Sequence, residues 1–239
     1  MSAARAAFVV LTGAGVSADS GVATFRGPDG LWEGRRVEDV ATPGAWRRDP
    51  ASVWRFYQER RAALPKVAPN AAHRALAAFE ARATAAGAAF TLVTQNVDDL
   101  HERAGSRPIH MHGELLALRC EACDATIVDR ERVDPATFAP CAGCGSPRLR
   151  PDVVWFGETP YRMAEIFAAL KACTHFLAVG TSGLVYPAAG FLAEARNRGA
   201  KTFVQSLDPP ENLDPRDDFR PGRAAETLPR LLDELAAAL

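Results

Sequence analysis

The sequence predicts an α/β fold in which a doubly wound parallel sheet carries a smaller domain. Short apolar runs recur along the 239 residues, glycine or polar turns follow them, and alanine-rich helical segments lie between them. Two long stretches, 28–69 and 113–151, break that alternation. With 48% hydrophobic residues, 28 Lys plus Arg and 29 Asp plus Glu, the chain has an ordinary globular composition and can bury a core. A net charge of -1 leaves no basic excess for phosphates, which argues against direct nucleic-acid or membrane-surface binding.

Phe8 to Thr12 is an apolar run that stops at Gly13-Ala14-Gly15, the pattern of a buried parallel strand entering a turn, with a helix expected from Ser17. Further strands are expected at Phe90 to Thr94, His175 to Gly180 and Lys201 to Val204, and helices at Ala71 to Ala86 and Pro187 to Arg198. The 25 Arg against 3 Lys, together with 46 Ala, read as genome-wide codon bias, so an isolated Arg carries little meaning. No apolar stretch reaches the ~18 to 20 residues of a spanning helix, and the amino terminus lacks a signal-peptide pattern, so a cytoplasmic protein is expected.

Cys120-x-x-Cys123 and Cys141-x-x-Cys144 are separated by 17 residues. Two such knuckles can place four thiolates tetrahedrally around one Zn²⁺. Reduced thiol pairs or an iron–sulfur cluster would use the same residues. Four sulfurs close the coordination sphere, so the metal would hold the fold and perform no chemistry. Cys173, in an apolar stretch, is expected in the core.

Three polar turns follow predicted strands: Thr12 to Gly21, Thr94-Gln95-Asn96-Val97-Asp98, and Gly180-Thr181-Ser182. In an open α/β sheet such turns converge on the crevice at the strands' carboxyl ends, where a dinucleotide fits. Glycines there would let backbone N–H groups approach a pyrophosphate. The first turn alone is weak, because its spacing is not GxGxxG and a bare glycine turn has a purely structural reading.

With these motifs in order, the chain resembles the sirtuins, NAD-dependent protein-lysine deacylases. The matching segments are GAGVSADSGVATFRGPDGLW at 13–32, TQNVDDLHERAG at 94–105, HMHGEL at 110–115, the two CxxC pairs, RPDVVWFGE at 150–158 and GTSGLVYPAAGF at 180–191. VEDVATPGAWRRDP and FYQERR at 56–61 are similar to the bacterial class III branch, whose members remove short acidic acyl groups as well as acetyl.

The resemblance implies roles by position. Gly13, Ala14, Gly15, Asp19, Phe25 and Arg26 would form the cofactor loop, and Gln95, Asn96 and Asp98 would surround the nicotinamide and its ribose. Gly180, Thr181, Ser182, Ser206 and Ala224 would meet the phosphates and the adenosine end. Val154, Phe156 and Gly157 would line a cleft where an extended substrate peptide pairs with backbone. Asp19 stands where the family usually has Glu, and Ser206 where Asn is usual.

His73, His101 and His175 read as surface or packing residues. His110 and His112, two apart in a strand-like segment, would share one face and both approach the cleft, with His112 preferred as base because Gly113 follows it. Tyr57 and Arg60, three apart in the helical pattern of Val53 to Leu64, would share a face and read an acyl carboxylate. From spacing alone Arg60 reads rather as a solvated surface residue, and it is the FYQERR resemblance that implies the functional role. Asp98, Asp99 and Glu158 do not otherwise support a two-carboxylate hydrolase.

The expected protein therefore has a Rossmann-like parallel sheet at 1–27, 70–112 and 152–239, and a smaller domain made of a helical insert at 28–69 and a zinc-ribbon insert at 113–151. The resemblance implies a deacylase acting on acyl-lysine proteins, removing acetyl, succinyl and malonyl groups, consuming NAD and releasing nicotinamide and O-acyl-ADP-ribose, with one structural zinc. A mono-ADP-ribosyltransferase, an NAD-dependent dehydrogenase or a zinc-ribbon nucleic-acid module are the alternatives. The motifs leave the oligomeric state open, and a monomer would suffice.

Overall fold

A computed structural model describes residues 5–23, 31–32, 34–131 and 133–239, without the side chain of Leu31. In chain order, β1 (Ala7–Thr12) leads into α1 (Gly15–Ala18), followed by β2 (Leu31–Trp32), β3 (Arg35–Arg36), α2 (Val37–Val40), α3 (Pro43–Arg48) and α4 (Pro50–Ala63). Next come α5 (Ala71–Ala85), β4 (Ala89–Thr94), α6 (Leu100–Ala104), β5 (Ile109–His110), β6 (Gly113–Arg119), β7 (Thr126–Val128) and β8 (Arg150–Val153). The chain closes with α7 (Met163–Ala172), β9 (His175–Val179), α8 (Phe191–Asn197), β10 (Lys201–Ser206), β11 (Asp218–Pro221) and α9 (Ala224–Leu235).

Six strands form one parallel sheet in the order β11-β10-β9-β1-β4-β5. All six residues of β1 are buried, as a central parallel strand covered on both faces requires. Its alternation sorts them: Phe8 and Val10 join the cluster containing Leu76, Phe79 and Leu228, while Val9 and Leu11 join the one containing Ile166, Leu170 and Phe191. From β1 the chain crosses to β4 on one side, and from β9 to β10 on the other. The connections after β1 and β9 therefore run to opposite sides of the sheet, opening a crevice at its carboxyl end.

The three expected sheet strands near 8, 90 and 175 form within a residue of their predicted bounds, and the fourth extends from Lys201 to Ser206. Two helical expectations change. The helix expected from Ser17 starts at Gly15 and ends at Ala18, because Gly21 turns the chain at φ +87° soon afterwards. Pro187 to Arg198 is not one helix: a 3₁₀ turn at Ala188–Gly190 precedes α8, with glycine, a poor helix-interior residue, at the junction.

A third cluster joins Trp46, Val53, Trp54 and Tyr57 of α3 and α4 to Leu115, Leu118, Cys120, Leu149, Val153 and Trp155 around the three-stranded antiparallel sheet β7-β6-β8. Polar tips are satisfied across it. Trp46 Nε1 donates to Glu121 Oε2 and Trp54 Nε1 to the Asp134 carbonyl, both at 2.8 Å. Arg61 is buried and donates to the Asp129 carbonyl. Among the described residues no helix is long and apolar enough to cross a membrane.

Candidate active site

A cleft of about 600 Å³ lies over the carboxyl ends of β1, β4, β9 and β10. The first and third polar turns meet at its floor. A Cβ on Gly13 would sit 2.8 Å from the Gly180 carbonyl oxygen, and one on Gly180, at φ +61°, would sit 2.5 Å from the Val16 nitrogen. Only glycine fits this crossing. Gly13 N–H donates to the Val179 carbonyl and Gly15 N–H to the Gly180 carbonyl, each at 2.9 Å. Those two amides are thus engaged within the protein, and these two glycines serve the close packing of the turns.

The second turn is locked to the first from below. Asn96 Nδ2 donates to the Gly13 carbonyl at 3.2 Å and to Ser17 Oγ at 3.1 Å, and Ser17 Oγ donates to Asp98 Oδ2 at 3.0 Å. Asp98 also accepts from the Leu100 amide, and burial pushes its carboxyl above the usual carboxylate range. Gln95 Nε2 reaches Thr181 Oγ1 at 3.2 Å, tying the second turn to the third.

His73 and His101 are fully buried beneath this network, their rings 4.8 Å apart. His73 Nδ1 accepts from the Asn70 amide at 3.3 Å, so its Nε2–H faces Ser17 Oγ at 3.5 Å. His101 Nε2 lies 3.1 Å from Thr12 Oγ1. Burial lowers His73 to about 4 and His101 to about 3, so both stay neutral. His175 packs as expected, stacked on Phe8 with centroids 4.7 Å apart.

His112 lines the cleft, and its Nδ1–H donates to the Gln95 carbonyl at 3.1 Å, leaving Nε2 of the neutral ring to accept a proton. Burial lowers its pKa against a smaller opposing effect of that hydrogen bond. His110 does not share this face. The strand β5 ends at His110, the chain turns at Met111 and His112, and His110 lines a different cavity with its Nε2 2.5 Å from Glu102 Oε1.

Tyr57 and Arg60 both line the cleft from α4. Trp155 Nε1 donates to the Tyr57 hydroxyl, and the Arg60 guanidinium donates to the Phe56 carbonyl and lies over the Trp32 ring, 5.1 Å from its centroid. Of the peptide-cleft residues, Phe156 lines it, 44% exposed, whereas Val153 takes the lining position expected for Val154. Val154 N–H instead donates to the His112 carbonyl at 2.8 Å, and Gly157 lies outside the lining at φ +90°. Glu158 is bound by Arg150 at 2.7 Å, which removes it as a free carboxylate.

Ser182, Ser206 and Ala224 line the cleft, and Phe25 and Arg26 lie outside the described residues. Asp19 lines the cleft but is committed elsewhere: its Oδ1 pairs with Arg223 Nε at 2.9 Å and its Oδ2 accepts from the Ala225 amide at 3.3 Å, at the start of α9. Ser206 Oγ donates to the Asp208 carbonyl at 2.6 Å. Sequence reasoning passed over Ser17, His73 and Trp155. Ser17 sits inside a quoted motif and was the most accessible of the three.

The four cysteines gather as predicted, with Cys120 Sγ and Cys144 Sγ 3.6 Å apart and Cys123 Sγ and Cys141 Sγ 3.7 Å apart. A tetrahedron of sulfurs at Zn–S bonds of ~2.3 Å has edges of about 3.8 Å, so one structural zinc fits. Cys173 is buried in the core, as expected.

The Sir2 family profile matches residues 13–187. An NAD-dependent protein deacylase of Vibrio vulnificus is 49% identical over 235 residues, covering 97% of this chain and 94% of that one. A Sir2 homologue solved in complex with NAD superposes with a TM-score of 0.83 at 39% identity, covering 96% and 88% of the two chains. A Sir2 protein bound to a myristoylated histone peptide gives 0.73 at 33% identity, covering 96% and 91%.

Proposed function

The chain belongs to the Sir2 family and is an NAD-dependent protein deacylase, and on that premise we propose that it removes succinyl and malonyl as well as acetyl groups from protein lysines in the cytoplasm. The observation that carries this reading is the presence of Tyr57 and Arg60 in the same cleft as His112. A guanidinium and a phenolic O–H at one end of the cleft suit the terminal carboxylate of a short acidic acyl chain, which acetyl lacks.

The same reading assigns the other residues. His112 is the base, accepting a proton at Nε2 while the Gln95 carbonyl fixes its tautomer. Gln95, Asn96 and Asp98 hold the nicotinamide end, and Gly13, Ala14, Gly15, Gly180, Thr181 and Ser182 shape the phosphate end. Asp19 acts there by fastening the first turn to α9 near Ala224, while Ser206 flanks the adenosine end. Phe25 and Arg26 belong to the loop expected to cover the cofactor. When bound, NAD supplies a ribose carbon whose nicotinamide is a good leaving group for the acyl oxygen to displace. Phe156, with the neighbouring Val154 and Gly157 backbone, borders the path of the substrate peptide.

The division into a cofactor domain at 1–27, 70–112 and 152–239 and a smaller one at 28–69 and 113–151 is part of this proposal. The apolar cluster joining α3 and α4 to the cysteine-bearing sheet supports it. The test is NAD-dependent nicotinamide release measured side by side on acetyl-, succinyl- and malonyl-lysine peptides. Turnover of all three is expected. Turnover of acetyl-lysine alone would reject the acidic-acyl part.

A further inference from the structure

A second group of ligating side chains gathers away from the cleft. Glu102 on α6, His110 at the end of β5 and Glu114 on β6 each offer one donor atom, and these three atoms lie within 4.8 Å of one another. The His110 side chain is only 9% exposed. Its Nδ1–H donates to the Asn96 carbonyl at 3.0 Å, which aims Nε2 at the carboxylates. Metal-binding histidines are oriented in this way, with the far ring nitrogen held by a backbone carbonyl.

Charge balance points the same way. Glu102 Oε2 is buried with no hydrogen-bond partner, a costly state for a carboxylate oxygen. Glu114 makes no ion pair among the described residues. It lines, with His110, an open cavity of about 670 Å³. Two arginines on that wall are already matched, Arg119 to Asp152 at 3.7 Å and Glu158 at 3.5 Å, and Arg162 to Glu165 at 2.7 Å. Two crowded carboxylates therefore face one imidazole nitrogen, which Glu102 Oε1 meets at 2.5 Å, so a metal ion would take the place of the single proton shared between them.

We propose that Glu102, His110 and Glu114 bind one divalent transition-metal ion, distinct from the zinc of the four cysteines. One imidazole nitrogen and two carboxylate oxygens suit zinc, cobalt or manganese, with water from the open cavity completing the shell. Small side-chain rotations would open the 2.5 Å contact between His110 Nε2 and Glu102 Oε1 to the roughly 3 Å that two ligands of one ion need, and bring Glu114 in as the third donor. Through His110 the ion would also brace the Asn96 main chain in the second turn of the cleft.

The site itself does not depend on the acyl specificity proposed above. The test titrates Co²⁺ into the zinc-loaded protein, removes unbound metal by dialysis, and reads zinc and cobalt per chain together with the visible cobalt absorption. Thiolate ligands favour the resident zinc, so the cysteine site is expected to keep it. Wild type is expected to hold one zinc and one cobalt. Glu114→Gln, at the half-buried rim, is expected to weaken cobalt binding at least tenfold with zinc content and melting temperature unchanged, and His110→Gln to do the same if it folds. No second metal, cobalt that only replaces zinc, or wild-type binding by Glu114→Gln would each overturn the proposal.

Discussion

The indole N–H of Trp155 donates to the phenolic oxygen of Tyr57 at 2.9 Å, with both side chains fully buried. The bond ties the segment just after β8 to the face of α4 that lines the cleft. It occupies an acceptor site on the Tyr57 oxygen and leaves the hydroxyl proton to donate. Burial pushes the Tyr57 pKa well above the usual phenol value, so that proton is present at every assay pH.

Tyr57→Phe with Arg60→Met should lower kcat/KM on succinyl-lysine by at least about tenfold, or ~1.4 kcal/mol, with acetyl-lysine changing much less. The double variant also leaves the Trp155 N–H unpaired, which costs roughly 1–3 kcal/mol of stability. Trp155→Phe separates the two effects: it should lower the melting temperature and keep the succinyl-to-acetyl ratio. Equal losses on both substrates in the double variant would mean that the pair only supports the pocket.

His112→Ala should reduce deacylation by about 10²- to 10⁴-fold. NAD binding, measured by titration calorimetry, should stay within about tenfold, because the base acts in chemistry. In the wild type, burial holds His112 below its usual value of 6.5. The acid limb of kcat/KM should therefore fall through an apparent pKa below 6.5, and a limb above that value would exclude His112 as the titrating base.

Stability should decline as pH falls below about 6.5. His73 is lowered to about 4 and His101 to about 3, so below 6.5 the unfolded chain takes up protons that the folded one refuses. Each contributes a slope of about 1.4 kcal/mol per pH unit between the unfolded value and its own folded value. His110 is raised, chiefly through Glu102 against the cost of burial, so its contribution is complete below 6.5 and is lost only at higher pH. Urea unfolding from pH 7 to 4 checks this, and His101→Gln should flatten the slope.

Cys141→Ser, or chelation of the zinc, should unfold the protein before it affects the chemistry of molecules that remain folded. Cys120 and Cys141 share an apolar cluster with Trp46 and Tyr57, so loss of the metal loosens the acyl end of the cleft. Elemental analysis and melting curves are the readouts, with one zinc per chain expected.

Gly180→Ala should cost roughly 2 kcal/mol or more, since φ +61° strains an alanine and its Cβ would meet Val16 N at 2.5 Å. Gly105→Ala, also at positive φ but with nothing near its Cβ, should show only the backbone part and leave NAD affinity intact. Matched losses in the two variants would remove the turn-crossing argument.

The alternation of apolar runs with glycine turns determined the sheet, because a central parallel strand must be apolar on both faces and must end where the chain can turn. The paired CxxC motifs determined the zinc site, since their spacing alone brings four sulfurs within reach. That His112 lines the cleft agrees with the family motif around it. Side-chain direction was not legible: Val153 rather than Val154 lines the cleft because the β6–β8 pairing sets which face each residue takes. His110 and His112 part because the chain turns between them and β6 starts at Gly113, whose φ is +78°. Only the tertiary structure could bring Ser17, His73 and Asp98 into one buried network. Their hydrogen bonds join segments 56 and 81 residues apart in the chain, and no local pattern encodes a contact made by the packing of α5 against the first turn.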